Sequence, residues 1–583
     1  MPILLSGHFS GMAELPYEAD DDRGAGFVAP LASAVVRDAD GKVVWDADAY
    51  GRVDGGCPAT AHPSLWAQAG LLARRGLYEV AEGVYQVRGL DRAAMTLVEG
   101  DTGVVVVDPL RSAECAVAAL RLYRGHRGDR PVSAVIYSHS RADRFGGSRG
   151  VTLGGVPVLA PAGFLDRAAE EFLYAAPAAN RRAAYTYGPA LPGGPEGRLG
   201  PARSAGTVSL VPPTALIERT GQEETLDGVR FLFQLVPGAA LAFLLPERRA
   251  LGLAVNAGDP PGGCDPRLWT RGLSEAVTLF AGRADVAFAA HHEPVRGGEE
   301  VTRLLERHRD LHSYLHDQTV RLMNKGLTPQ EIAECLQLPP ALAALPGSAG
   351  VIRAVYQHYL GWFDGNPAHL WEHPPRQSAI RYVECLGGGA AVVALAERYA
   401  AGGDLRFAAQ LLNHAVFADE GNKRARDLLA EVYTRLGHGA RDPAWRNAYL
   451  MGALELTDGI AAADGGTVAP GTLAALGAEQ VLDALAVRVD GPKAWSENLA
   501  IDWHLTDLGR RYRTVLSNGV LIRQADPPEG PVDLTLRLTQ AQLVALLAGR
   551  GVGEVSREGD MRALKRLFAA LDAPVPGFAI VTP

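Results

Sequence analysis

The stretch Val104-Val105-Val106-Val107-Asp108-Pro109 decides how the first half of the chain folds. Four consecutive β-branched residues closed by Asp-Pro read as a buried strand. Ser112–Tyr123 follows with helical spacing, and Ala134-Val135-Ile136-Tyr137 reads as a second buried strand. Working outward, Val84–Val87 and Met95–Glu99 precede this unit, while Phe231–Val236, Leu241–Leu245 and Val286–Ala289 follow it. Strands alternating with helices predict a layered α/β domain over residues 78–298. Residues 1–77 are rich in turns and predict an arm lying on another domain.

From Glu299 to about Leu456 the periodicity becomes helical. Thr328-Pro329-Gln330-Glu331 is a capping-box start with Pro at the first helical position. Phe407–Phe417 and Lys423–Leu436 pair as in helical repeats, but one unit makes no solenoid. The Gly/Ala-rich Ala461–Gly471 reads as a linker. Residues 472–583 read as a last α+β domain, with strands at Ala500–Thr506, Tyr512–Ser517 and Val532–Leu538.

The chain has 583 residues, too many for one core. Its net charge of -9 argues against a nucleic-acid partner. No run of apolar residues is long enough to predict a membrane span. The N-terminus lacks a basic region and turns acidic, which makes it a poor signal peptide. The cysteines Cys57, Cys115, Cys264, Cys335 and Cys385 are sparse and scattered, which predicts reduced thiols and a cytoplasmic location.

Several runs in order along the chain resemble the class III alkyl sulfatases: His62–Trp66, Gly83–Gly89, Glu99–Gly103, Asn180–Arg182 with Tyr187-Gly188, His316–Thr319, Tyr359–Pro367, Asn413–Asp419, Trp445–Asn447 and Asp490–Lys493. The resemblance implies a metallo-β-lactamase αββα sandwich, then an α-helical dimerisation domain and a sterol-carrier-like α+β domain. It also implies a homodimer and a paired zinc centre that hydrolyses sulfate esters.

The family's metal loop reads HxHxDH, where alternate residues on an extended segment face one metal. Here it reads His139-Ser140-Arg141-Ala142-Asp143-Arg144. Arg141 and Arg144 stand at histidine positions, and a guanidinium has no lone pair to give a metal. Pro237-Gly238 leads straight into Ala239-Ala240, without the family's acidic segment, and Val255 replaces a glutamate in Ala254-Val255-Asn256. Ala290-His291-His292-Glu293-Pro294 retains a ligand histidine, assigned to His292 by its spacing to the proline. His139, Asp143 and His292 remain as metal positions, which supports no zinc or at most one weakly held ion.

The histidines that serve the leaving group in the family are also missing from Gly258–Asp265. Arg141, Arg144, Tyr187, Asn256 and Arg271 are the candidate contacts for an anionic small molecule, because guanidinium forks match tetrahedral oxyanions. His292 and Asp143 are the candidate acid/base pair. Cys264 is a candidate nucleophile if the arginines lower its pKa, and an incidental thiol otherwise. His291 reads as a histidine that packs or supports a metal ligand from behind, rather than as a base. Three functions remain open: a repurposed enzyme acting on an anionic or sulfated small molecule, a non-catalytic binding or scaffold relative, and a sulfatase with an unusual metal site. The arginines either bind ligand or fill the cavity with internal salt bridges.

Overall fold

The structure is a computed structural model and describes residues 25–50, 55–200, 202–253, 265–343, 348–461, 470–573, 575 and 577–583. Asn256 and Cys264, with most of the expected linker, therefore lie outside the described residues.

Two sheets face each other in the first unit. One has eight strands and the other six. The apolar run Val104–Val107 is a fully buried strand in the middle of the larger sheet, paired antiparallel with Met95–Glu99 and parallel with Val132–Ile136. The smaller sheet is built around Val229–Val236, Ala240–Leu245, Ala250–Leu253 and Val286–Ala289. Between the sheets lies a dry layer in which Val105, Val107 and Ile136 meet Phe231, Phe243 and Phe288. Burial of such side chains supplies the main driving force for this stacking. Ala113–Arg127 covers the outer face of the large sheet. Pro266–Phe280 and Gly298–Met323 cover that of the small one. The layer order is thus αββα.

The segment ahead of residue 78 is more closely joined to this unit than an arm would be. Phe27–Ala29 pairs antiparallel with Gly76–Ala81, adding an edge strand to the large sheet. Helices run from Gly298–Met323 to Pro443–Asp458, and the capping box at Thr328 forms with both of its hydrogen bonds. The C-terminal unit is a five-stranded sheet with helices Ala478–Ala486, Gln540–Leu547 and Arg562–Ala569. It holds two strands absent from the sequence reading, Val520–Ala525 and Ser556–Gly559. Both lie at sheet edges, where exposure removes the apolar alternation that marks a strand. Among the described residues, no single helix is long and apolar enough to cross a membrane.

One arginine ties these parts together. Arg446, on Pro443–Asp458, is 0% exposed and donates to the carbonyls of Thr60 (2.7 Å), Gly197 (2.9 Å), Pro195 and Gly437.

Candidate functional site

The site lies where the large sheet's parallel strands end. After Val107 the chain turns sharply: Asp108 and Leu110 both have positive φ, at 57° and 61°. Such a conformation is costly for side-chain-bearing residues and is held by its surroundings. It aims the Asp108 carboxylate at the next strand end, where Ser138 donates through its backbone N–H (2.8 Å) and its hydroxyl (2.6 Å). Arg144 Nη1 donates to the same carboxylate at 2.8 Å. Burial nevertheless raises the Asp108 pKa, against the pull of Arg144 and Ser138.

His139 follows Ser138 and is held to the small sheet by a bridge to Ala240. Its Nδ1 accepts from the Arg141 backbone N–H at 3.2 Å, so a neutral ring carries its proton on Nε2. Burial, with Arg144 and Arg141 beside it, holds its pKa down to about 3. The hairpin that brings Ala240 here is closed by Pro237, Gly238 and Ala239 alone, with Val236 paired to Ala240. Gly238 (φ 91°) and Ala239 (φ 57°) make that turn possible.

Asp143 is met by His291 rather than by His292. Ala289 pairs with His292, so Ala290 and His291 form the tip of a tight hairpin. From there His291 Nε2 lies 3.1 Å from Asp143 Oδ2, and Arg92 Nη1 lies 3.7 Å from the same atom. His291 Nδ1 faces the Arg92 carbonyl at 3.2 Å. Two oxygens facing one ring favour a doubly protonated imidazole. Burial and the charges of Arg144 and Arg92 oppose this and hold the His291 pKa down to about 4. At neutral pH the ring therefore keeps its proton on Nε2, because the carboxylate is the stronger acceptor. Asp143 is buried, which alone would raise its pKa, but His291 and the nearby arginines pull it well below the carboxylate range. His292 opens the return strand instead, and its Nδ1 donates to the Glu293 carbonyl at 2.9 Å. The spacing to the proline pointed to His292; the two-residue hairpin tip selects His291.

Tyr187 is the other centre. It ends the helix Ala176–Tyr187, which Gly188 terminates in the left-handed conformation (φ 56°). That positive φ strains any residue with a side chain at 188. The Arg92 guanidinium carbon lies 4.5 Å from the centre of the Tyr187 ring and that of Arg203 4.1 Å from it. Arg141 Nη2 donates to the hydroxyl at 3.0 Å. Burial raises the Tyr187 pKa, but Arg92, Arg141 and Arg203 outweigh it and leave the phenol more acidic than an ordinary tyrosine.

Tyr187 and Arg203, with Arg111, also line a cavity of about 540 Å³. Its remaining walls are mostly apolar: Leu173 and Ala184 from the first unit, Leu473 from the connecting helix, and Leu485 and Leu547 from the C-terminal unit. Arg92, His291 and His292 line a separate crevice of about 40 Å³. Tyr187, held against Arg92, thus stands between the apolar cavity and the Asp143–His291 pair.

The structure therefore brings together His139, Arg141, Asp143, Arg144 and Tyr187. Arg271 is exposed on Pro266–Phe280, and among the described residues no contact joins it to this group. Asp108, Arg92 and Arg203 belong to the site but were not assigned to it from the sequence, and His291 was read only as packing or supporting a ligand. Arg92 and Arg203 carried no signal, whereas Asp108 did as the acidic residue closing a buried strand, and His291 did as a member of the His-His-Glu-Pro run. Among the described residues, no three His, Cys, Asp or Glu side chains form a group able to hold a metal ion.

Two facing sheets flanked by helices, with a site at the strand-end loop after Val132–Ile136, define a metallo-β-lactamase domain carrying helical and C-terminal extensions. Residues 88–224 match the metallo-beta-lactamase superfamily, residues 328–459 match alkyl sulfatase dimerisation, and residues 466–583 match the alkyl sulfatase C-terminal family. A linear primary-alkylsulfatase from Pseudomonas sp. is 38% identical over 98% of this chain and 91% of its own. An alkyl/aryl-sulfatase from Saccharomyces cerevisiae is 35% identical over 100% of this chain and 96% of its own. The solved structure of a stereoselective inverting sec-alkylsulfatase from Pseudomonas sp. superposes with a TM-score of 0.93 at 36% identity, covering 98% of this chain and 96% of that one. The chain belongs to the alkylsulfatase family.

Proposed function

We propose that this protein is a sulfatase-like enzyme for an anionic amphiphile, in which guanidinium groups supply the charge neutralisation that zinc supplies in the family. The observation that carries this reading is Tyr187, its ring within 4.5 Å of the Arg92 guanidinium and 4.1 Å of that of Arg203, with Arg141 on its hydroxyl, at the wall of a large apolar cavity. The cavity suits an alkyl chain, and the arginine-lined end suits its anionic head. A paired zinc centre does not suit the donor set. His139 Nδ1 is engaged by the Arg141 N–H, His291 Nε2 by Asp143, and the buried Arg144 charge sits beside them.

In this reading the arginines orient the ester and screen its charge. Tyr187, acidified by its three guanidinium neighbours, protonates the departing alkoxide oxygen. The water that attacks the ester releases a proton, which restores the phenol, leaving an alcohol and hydrogen sulfate. The helical unit joins two copies. The exposed Trp362 (73%) and Trp371 (94%) support that assembly.

A second reading, a binding protein without turnover, is favoured by the same engaged imidazoles, since neither is placed to take a proton from water. Calorimetry with dodecyl sulfate, combined with assay of released sulfate, separates these. Binding with release that survives chelation supports the enzyme. Binding without release supports the second reading. Release that is lost to chelator and restored by zinc overturns the metal-free account, and absence of binding overturns both readings.

A further inference from the structure

The last residues of the chain reach back to the helix that carries Tyr187. Arg181, six positions before Tyr187, is buried and forms an ion pair with the equally buried Glu455 on Pro443–Asp458. Arg181 Nε also donates to the Phe578 carbonyl at 2.7 Å. On the other side, the Ile580 and Val581 backbone N–H groups donate to Glu455 Oε1 at 2.7 and 3.3 Å. Tyr185 OH donates to Glu455 Oε2 at 2.7 Å. One carboxylate thus joins the cavity-lining helix, a helix of the helical unit and the C-terminal segment. A second tether acts at the helix end, where Asn447 Nδ2 donates to the Thr186 carbonyl at 2.9 Å.

These tethers matter because the helix has little else to fix its start. It follows a π-helical turn, Glu170–Tyr174, and Ala175 at its N-cap supplies no side-chain hydrogen bond. Asn180, Ala183, Ala184 and Tyr187 from this one helix line the cavity. A small rotation of the helix would move all of them, and would lift Tyr187 away from Arg92 and Arg203.

We infer that Phe578–Val581 is a strap which, through the Arg181–Glu455 pair, sets the position of the Tyr187 helix and so assembles the cavity. Arg181 and Glu455 are positioning residues: neither lines the cavity, and they act through Tyr187. The buried pair is satisfied only when the strap is in place, because its carbonyl and N–H groups take up valences that the two side chains leave over. Coupling of this kind is reciprocal, so a ligand that needs the ordered helix also tightens the strap.

The test uses the full chain, a chain ending at Gly577, and Ile580→Pro, which removes one N–H donated to Glu455 and keeps the length. Tyr187 is titrated by its ultraviolet absorbance, as the difference from the same protein carrying Tyr187→Phe. The groups facing Tyr187 are Arg92, Arg141, Arg203 and, opposing them, Asp143. Loosening the helix takes the phenol away from the guanidiniums, so its midpoint should rise toward the ordinary value. Dodecyl sulfate should bind roughly tenfold more weakly. A purely structural role for the strap lowers the melting temperature and leaves the Tyr187 titration where it was, and that result overturns the inference. If the truncated chain fails to fold, Ile580→Pro decides. The affinity measurement rests on the reading under Proposed function, but the titration needs no ligand. Failure of dodecyl sulfate to bind the parent protein would thus count against that reading alone.

Discussion

Arg144 Nη1 lies 2.8 Å from Asp108 Oδ2, and both side chains are almost wholly shielded from water. Such a pair adds little net stability, because each ion loses its hydration, yet breaking it is costly because one charge remains buried alone. Replacing Arg144 by Met should lower unfolding stability by about 3–5 kcal/mol. Adding Asp108→Asn should recover much of that loss. Denaturant unfolding of the single and double variants checks both values. Additive losses would show that the two groups are not coupled.

Arg203 and Arg141 should behave differently from Arg144. They hold the Tyr187 ring and hydroxyl, and Arg203 lines the cavity. Desolvated charge-assisted hydrogen bonds are worth roughly 1.5–3 kcal/mol each. Arg203→Met and Arg141→Met should therefore weaken dodecyl sulfate about ten- to a hundred-fold with little change in melting temperature. Unchanged affinity in titration calorimetry would remove the arginines from the anion site.

The buried histidines predict a pH dependence. His139 and His291 are held near 3 and 4, below the ordinary 6.5. Between about 6.5 and 4 the unfolded chain binds more protons than the folded one, so stability falls as the pH drops. Each ring contributes roughly 1.4 kcal/mol per pH unit in that window. Asp91 and Asp108, whose pKa values burial raises, act with the opposite sign. The readout is therefore the slope of the parent against that of His139→Gln and His291→Gln. Each substitution should flatten it, and an unaltered slope would mean that the rings are not buried neutral.

Sequence spacing exposed the layers of this fold but not the partners within its site. Val104–Val107 announced itself because four β-branched residues have no other comfortable place than a central strand. The arginines at 141 and 144 were visible as departures from a known loop. Which of them meets a carboxylate was not, since Asp108 lies a whole crossover helix earlier in the chain. Arg92 and Arg203 gave no local sign at all. They sit in loops, and only the closing of the fold brings them over the ring of Tyr187. The edge strands Val520–Ala525 and Ser556–Gly559 were hidden for a related reason: an exposed edge has no buried face to write a pattern in the sequence.

Metal content follows from the donor set. Protein purified without chelator should carry well under two zinc per chain by elemental analysis. The reason is that His139 and His291 already commit a ring nitrogen to Arg141 and Asp143. Zinc at two per chain would show that other side chains complete the site, and the proposed metal-free chemistry would fall.

Assembly is the remaining expectation. Trp362 and Trp371 are large and exposed on the region that matches alkyl sulfatase dimerisation. Light scattering at micromolar concentration should give twice the chain mass, and Trp371→Glu should shift it toward the single chain.

Arg446 bears on how the polypeptide can be dissected. Its guanidinium is the donor for carbonyls at Thr60, Pro195 and Gly197, all N-terminal to the helix that carries it. A fragment ending after the sandwich would strip those acceptors of the donor that holds their loops together. The sandwich is therefore not a portable module. Grafting, truncation or separate expression of the sandwich should yield insoluble material unless Pro443–Asp458 travels with it, and a chimera should be cut beyond that helix rather than at the visible end of the sheets.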